Sequence, residues 1–395
     1  MRILFANDGI GDAGGVQNYL GAVMPALAKR GHQVALLHLD RLRPGAPSPA
    51  PAGAPHWGMA EMGMDAALFA ALAWGPDLAF VHNMRPLEVD RRLCAAVPTV
   101  KFMHGYFGTC VSGQKAHLFP RPQACGKPLG PGCIPIYATR RCGRMRPGYV
   151  AEGYRWAHEQ NGMFGGYASL VTASRHMRAE YLRNGAAPGR VHAIPLFPTL
   201  SGQPTDPPPE FRVLFLGRMT AIKGGDVLIR AVADASARLG RPIPLTLAGD
   251  GPQRAEWERL ASRLGVAAEF VGWVDDDGRA ALFHAASVLA VPSVWPEPFG
   301  LVGLEAGVFG VPSIAFDVGG IRDWLTPAVN GWLVPGAPPS ARAMADALVH
   351  AARNPELLAR MRTGAREAAE RMSLVRHVQA LERVLVSAAA PAMAG

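Results

Sequence analysis

The chain has 395 residues, more than one hydrophobic core ordinarily organises, so two domains are expected. It is 49% hydrophobic and 18% charged, the composition of a globular protein, and no apolar run approaches the ~18 residues of a membrane span. The apolar run after Met1 is also short for a secretion leader, so a cytoplasmic location is expected, with at most peripheral contact at the inner face of a membrane.

The first strand is expected at Ile3–Ala6. A loop containing Gly14 and Gly15 follows, then Val16, Leu20, Val23 and Leu27 recur at helical spacing up to Gly31. Strand, glycine loop and helix open a Rossmann-like half, in which backbone N–H groups point at the cleft. Further strands are expected at Val34–Leu39, Leu78–His82, Thr99–Met103 and Leu170–Thr172. Their alternation with helical patterns argues for a parallel sheet. Residues 43–56 are rich in Pro and Ala and read as loop. His104 follows the Thr99 strand directly, which puts an imidazole at the carboxyl edge of a parallel sheet, where α/β proteins bind ligands.

The formal charge of +9 is unevenly placed. Residues 1–200 carry 21 Lys and Arg against 11 Asp and Glu, whereas residues 201–395 carry 19 against 20. Between Lys101 and Ala151 eight basic residues occur without one acid. Such a stretch suits an anionic partner: a membrane surface, a lipid-linked diphosphate, an acidic glycan or nucleic acid. Four of the five cysteines, Cys110, Cys125, Cys133 and Cys142, fall in the same segment at gaps of 14, 7 and 8 residues. In a reducing compartment such a cluster fits a structural Zn²⁺ better than disulfides, although no Cys-x-x-Cys pair occurs and free thiols are the other reading. A Gly- and Pro-rich segment of about 45 residues cannot order itself by apolar burial, so a staple is expected. Cys94, in Leu-Cys-Ala-Ala-Val, reads as an inert core residue. A helix is expected near Glu152–Phe164, another opens at a Ser174 cap, and a strand at Val191–Pro195 ends the first half.

Residues 196–209 hold five prolines and read as the linker. A second Rossmann-like run starts at Phe211–Arg218, with Arg218 and Lys223 on either side of a short loop at the mouth of a strand, placed to clamp a diphosphate. Leu245–Ala248 leads into the turn Gly249-Asp250-Gly251-Pro252, expected to line the cleft. Strands follow at Phe270–Val274 and Ser287–Val291. In Trp295–Gly310, Pro296 and Pro298 exclude helix before Phe299, and Gly300 lets the backbone approach a ligand as a helix opens. Leu301, Leu304 and Val308 recur at helical spacing, so Glu305 lies beside an apolar stripe, where a carboxylate needs a partner. Glu297 sits just outside that helix start, next to unpaired N–H groups suited to an anion. Helices from Ser340 and Pro355 and an amphipathic stretch at Ser373–Val386 complete the chain.

Pro-Glu-Pro-Phe-Gly-Leu before Leu-Glu-Ala, with Glu297 and Glu305 eight apart and Gly310–Ala315 following, resembles the signature of glycosyltransferase family 4, the retaining GT-B glycosyltransferases. Gly14-Gly15, Arg218 and Lys223, and Asn330–Val334 extend the likeness over nearly the whole chain; it is weakest between Thr109 and Tyr149. The resemblance implies an α/β GT-B fold of two Rossmann-like domains facing across a cleft. It divides the chain into an acceptor-binding domain (1–198, with a Cys-rich basic insertion at about 105–150), a linker (199–210), a nucleotide-sugar-binding domain (211–372) and a terminal helix packing back on the first domain (373–395). It also implies retaining transfer of a sugar from a UDP- or GDP-sugar to an anionic or lipid-linked glycan acceptor, in polysaccharide, lipopolysaccharide or other cell-surface glycan synthesis, with no cofactor for catalysis. Carried over residue by residue, Glu297 orders the donor sugar, Glu305 the ribose, Arg218 and Lys223 the departing diphosphate, and His104 the sugar. Gly14, Gly15, Phe299, Gly300, Leu301 and Gly249 approach the donor. Asp323 stands where relatives usually carry Glu, and no role is carried over to it. The rival readings are a GT-B epimerase or phosphorylase, and a nucleic-acid-binding protein using the basic segment; scattered aromatics in that segment fit no stacking platform.

Overall fold

The computed structural model describes residues 1–9, 14–40, 49–146, 148–204 and 206–390. Residues 43–48 of the expected 43–56 loop and the last five residues of the chain lie outside these. The first domain carries β1 (Arg2–Asn7), β2 (Gln33–His38), β3 (His56–Gly58), β4 (Leu78–Val81) and β5 (Thr99–Met103). A two-stranded antiparallel pair, β6 (Ala116–His117) and β7 (Gln123–Ala124), interrupts the alternation, and β8 (Ser169–Thr172) and β9 (Val191–Ala193) complete the main sheet. That sheet has the order β3-β2-β1-β4-β5-β8-β9, and every neighbouring pair is parallel.

The second domain repeats the plan with β10 (Val213–Leu216), β11 (Leu245–Ala248), β12 (Ala268–Gly272), β13 (Val288–Val291), β14 (Ser313–Phe316) and β15 (Gly331–Val334). Its order is β12-β11-β10-β13-β14-β15, again parallel throughout. Each order reverses beside the first strand of its domain, between β1 and β4 and between β10 and β13. Ligands of doubly wound sheets bind at such points, outside the carboxyl ends of the strands. The strands are short runs of Val, Leu, Ile, Ala and Phe because helices cover both faces, and Ile3, Phe5, Leu214, Leu289 and Ile314 are fully buried.

The terminal helix and a side-chain latch are among the contacts that hold the domains together. The terminal helix, Leu374–Ala389, lies against the first domain. His377 donates from Nδ1 to the Pro195 carbonyl (2.7 Å), its Nε2 accepts from the Tyr19 hydroxyl (2.8 Å), and Glu382 accepts from Arg30 Nε (2.9 Å) and contacts His32 Nε2 (2.8 Å). Asp323, left without a role by the sequence, accepts from the Arg175 backbone N–H (2.9 Å) at the start of the helix Arg175–Arg183 and so latches one domain to the other.

The Cys-rich segment is ordered differently from expectation. It folds as the β6–β7 pair and a helix, Cys133–Arg140, rather than as 45 residues of loop. Among the described residues no three His, Cys, Asp or Glu side chains converge into a set able to hold a metal ion. Cys110, Cys125, Cys133 and Cys142, expected as a Zn²⁺ set, form no disulfide. Three of them have local contacts of their own. Cys133 starts the helix and turns its Sγ to the Pro128 carbonyl (3.8 Å), Cys142 lies past the helix end beside His117 Nδ1 (3.3 Å), and Cys110 accepts from the Lys115 N–H (3.4 Å). Burial, with Cys110, Cys125 and Cys133 close by, pushes the Cys142 thiol up to about 12.

The staple is polar instead. Lys115 is buried, with Nζ 2.9 Å from the buried Glu180 carboxylate and donating to the Lys127 carbonyl (2.5 Å). Asn184 Oδ1 accepts from the Leu129 N–H (2.8 Å), Tyr181 donates to the Gly105 carbonyl (2.7 Å), and Asn161 donates to the Gly108 carbonyl (3.0 Å). Helices 149–162 and 175–183 thus hold the segment through side chains that reach its backbone. Glu180 also pairs with Arg183, so Lys115→Met leaves it partly partnered and should lower stability by about 2 kcal/mol. Lys115→Met with Glu180→Leu should recover part of the loss in thermal melting; no recovery would count against the pair as the staple.

Candidate active site

The carboxyl edges of the two sheets face each other across a cleft of about 870 Å³. From the first domain it is lined by Gly15, Tyr19, His104, Gly105, Phe107 and Leu118, among others; from the second by Gly217, Arg218, Lys223, Ser293 and the run Glu297–Val302, with Trp295 beside it. Of the residues the sequence singled out, the fold brings Gly15, His104, Arg218, Lys223, Glu297, Phe299, Gly300 and Leu301 onto this one surface.

Glu297 is 4% exposed and cannot stand alone as a charge. Its Oε1 accepts from Lys223 Nζ (2.6 Å) and from the Ser293 hydroxyl (2.5 Å). Lys223 ends a single turn after β10, and Nζ also lies 5.7 Å from the centre of the Trp295 ring. Gly224 closes that turn in the left-handed region (φ 68°), and a Cβ there would sit 2.0 Å from the Pro292 carbonyl oxygen, so only glycine lets the β10 and β13 loops touch. Glu297's backbone is gripped from the far side: Gly320 N–H donates to its carbonyl (2.7 Å), and a Cβ on Gly319 (φ 60°) would meet the same oxygen at 2.2 Å. Arg218 is exposed on the rim and forms no ion pair among the described residues.

Glu305 does not reach the cleft surface. The helix around it, Val302–Val308, is only seven residues, and the buried carboxylate accepts from the Thr199 hydroxyl (2.8 Å) and from Arg279 (3.1 Å). Burial raises its pKa and Arg279 and Thr199 oppose that. The partner expected from its apolar surroundings is therefore present in the protein itself, and Thr199, which does line the cleft, stands between Glu305 and any ligand. Gly249 also lies off the cleft. A Cβ there (φ 119°) would sit 2.1 Å from the Gly217 carbonyl oxygen, so Gly249 supports the loop that does line it. Gly14 caps the helix Gly15–Lys29 in an extended conformation. Among the described residues that helix has no side-chain cap, its first turn has no acid, and a Cβ on Gly15 would meet nothing within 4 Å, so its start suits an anion in the cleft.

His104 stacks on Phe102 (4.3 Å between ring centres) and shares a hydrogen bond with His82 from Nε2 (2.9 Å to Nδ1). Burial, with the Lys101 charge and His377 behind it, pushes His104 down to about 3. Below it Lys101 pairs with the fully buried Asp90 (2.6 Å), which also accepts from Tyr167 (2.5 Å). His82, Ser293, Thr199 and Arg279 were not singled out by the sequence, because a single polar residue in a loop or strand end carries no pattern until its partner is known.

Sequence comparison places these residues in a known group. The family model for Glycosyltransferase Family 4 matches residues 13–197 and that for Glycosyl transferases group 1 matches residues 198–368. A D-inositol 3-phosphate glycosyltransferase 2 of Catenulispora acidiphila is 30% identical over 382 residues, covering 86% of this chain and 82% of its own. D-inositol 3-phosphate glycosyltransferase of Streptomyces griseus is 41% identical over 170 residues, 40% of this chain; matches of that kind span about a third of the relative's length, here 35%. Among solved structures, Anabaena Alr3699/HepE in complex with UDP-glucose superposes with a TM-score of 0.70 at 20% identity, covering 98% of this chain and 100% of the other. Two parallel Rossmann-like sheets facing across a cleft define the GT-B fold. The chain belongs to glycosyltransferase family 4.

Two outcomes follow from this geometry. Gly319→Ala pushes a methyl into the Glu297 backbone and should cut turnover at least tenfold with a smaller change in melting temperature, since the contact is local. His377, with folded pKa pushed by burial to about 4 against 6.5 unfolded, takes up its proton only on unfolding, and His82 and His104 behave alike. Stability therefore falls as pH drops from 6.5 towards 4, by about 2 kcal/mol at pH 5 for each of His377 and His104. His377→Gln should flatten the decline of melting temperature between about pH 7 and 5; an unchanged slope would contradict the assignment.

Proposed function

We propose that this chain is a retaining hexosyltransferase that moves a sugar from a nucleoside-diphosphate sugar to the acceptor of a polysaccharide, lipopolysaccharide or other cell-surface glycan. The observation that carries the reading is the Lys223–Glu297 pair at the mouth of the second sheet, with Arg218 exposed on the same loop. A diphosphate in this cleft meets a flexible ammonium, a planar guanidinium and the open helix start at Gly15. As the bond from sugar C1 to phosphate breaks, negative charge grows on the diphosphate, and Lys223 and Arg218 stabilise it. The UDP and UDP-glucose held by the solved GT-B relatives favour a uridine donor.

Retention is supported by the described lining of the cleft, which offers no carboxylate free to act as a base. Among the described residues Glu297 is the one carboxylate lining the cleft, and Lys223 and Ser293 occupy one of its oxygens. Neutral His104, with its pKa pushed to about 3, is a weak proton acceptor. The departing diphosphate is then the strongest base at hand: the acceptor oxygen bonds to C1 on the face the diphosphate leaves, and its proton passes to a phosphate oxygen. Glu297 keeps its second oxygen to order sugar hydroxyls. Glu305, through Thr199, serves the ribose end.

Nucleoside-diphosphate release from a panel of UDP- and GDP-sugars tests the class. Sugar consumed without release would point to an epimerase, and release dependent on inorganic phosphate to a phosphorylase. Lys223→Ala should lower turnover on the order of 10²-fold or more. Glu305→Gln should weaken UDP and UDP-sugar binding alike, whereas Glu297→Gln should lower turnover with UDP affinity little changed. Equal effects of the two changes on UDP affinity would sink the division of roles.

A further inference from the structure

The basic segment is sorted by the fold into two kinds of cation. Lys101 and Lys115 are buried in ion pairs with Asp90 and Glu180. The other six, Arg121, Lys127, Arg140, Arg141, Arg144 and Arg146, are exposed, and none forms an ion pair among the described residues. Three large apolar side chains stand out among them: Phe119, Ile134 and Met145 are 47%, 49% and 53% exposed.

Phe119, Arg140, Arg141 and Arg144 are drawn together on one side of the segment. The N–H groups of Leu118 and Phe119 donate to the Arg140 carbonyl (2.9 and 3.1 Å), the Arg141 guanidinium lies 5.0 Å from the centre of the Phe119 ring, and Tyr137 donates to the Arg144 carbonyl (3.3 Å). Ile134 stands in the first turn of the helix Cys133–Arg140, which ends in Arg140. The buried Lys115–Glu180 pair fixes the segment beneath. The surface also borders the cleft, because Leu118 lines the cleft and Phe119 is the next residue.

We propose that this surface docks the enzyme on a membrane rich in anionic lipid, with Phe119, Ile134 and Met145 entering the headgroup boundary and the six cations meeting lipid phosphates. The apolar residues make the choice between partners. An acidic polysaccharide or a nucleic acid accounts for the cations and leaves three exposed apolar side chains unexplained, whereas a bilayer surface rewards both. The inference rests on the proposed transfer to a glycan acceptor only in saying why the surface adjoins the cleft: a lipid-linked acceptor held at the bilayer would present its sugar end there.

The test uses the full chain and vesicles, with no sugar transfer, so it can fail independently of the proposed activity. The protein should co-sediment with vesicles of phosphatidylcholine containing about a third phosphatidylglycerol, bind phosphatidylcholine alone weakly, and release as salt is raised. Arg140→Glu with Arg141→Glu should weaken partitioning roughly tenfold or more. Phe119→Ser, Ile134→Ser and Met145→Ser together should weaken it with every cation retained; Met145→Ser alone, on the exposed stretch after the helix, gives the same sign if the triple variant folds poorly. UDP affinity and melting temperature are the controls and should hold in the charge variant. Absence of binding to the anionic vesicles, wild-type partitioning in the serine variants, or tight binding to a soluble acidic polysaccharide that outcompetes the vesicles would each overturn the proposal.

Discussion

A buried carboxylate has to be paired, and in this protein the pairing of Glu297 organises the second domain's half of the cleft. Lys223 reaches it from the loop after β10 and Ser293 from the loop after β13, the two strands between which the sheet order reverses. Two glycines make the approach possible. Gly224 lets the loops touch, and Gly319 lets the segment after β14 press on the Glu297 backbone. The carboxylate is thus held on both its side chain and its main chain before any ligand arrives, the preorganisation that charge stabilisation in a cleft requires.

The first domain uses charge in the opposite way. Its cations are abundant, but two of them are buried and neutralised, Lys101 by Asp90 under His104 and Lys115 by Glu180 under the Cys-rich segment. What it presents to the cleft is a neutral imidazole, aromatic rings and the open start of a helix. The burial that keeps His104 neutral also makes the domain sensitive to acid, because each such histidine gains a proton when the chain unfolds.

Glu305 and Thr199 connect the site to the linker. Thr199 follows the last strand of the first domain, and its hydroxyl donates across to a helix of the second. With the Asp323–Arg175 latch and the terminal helix on Tyr19 and Arg30, this gives three places where one domain's geometry is tied to the other's.

The sequence alone was enough for the architecture and for most of the cleft. Thr99–Met103 and Leu245–Ala248 lie where the apolar runs put them, Ser174 and Ser340 cap their helices, and Glu297, Lys223 and His104 sit at strand ends, because strand edges and caps are local signals written in neighbouring residues. Short elements, such as β3 and the helix inside the Cys-rich segment, were invisible, since three or eight residues carry too little periodicity. Whether four cysteines gather around a metal, or Glu305 faces a ligand, depends on distances between residues far apart in the chain. Only the folded chain decided that Lys115 meets Glu180, that Arg279 and Thr199 reach Glu305 first, and that Gly249 supports Gly217 instead of lining the cleft. Spacing along the chain states which residues can share an element; which buried charge finds which partner is settled by packing across elements, where leaving a charge unpaired costs more than any local preference.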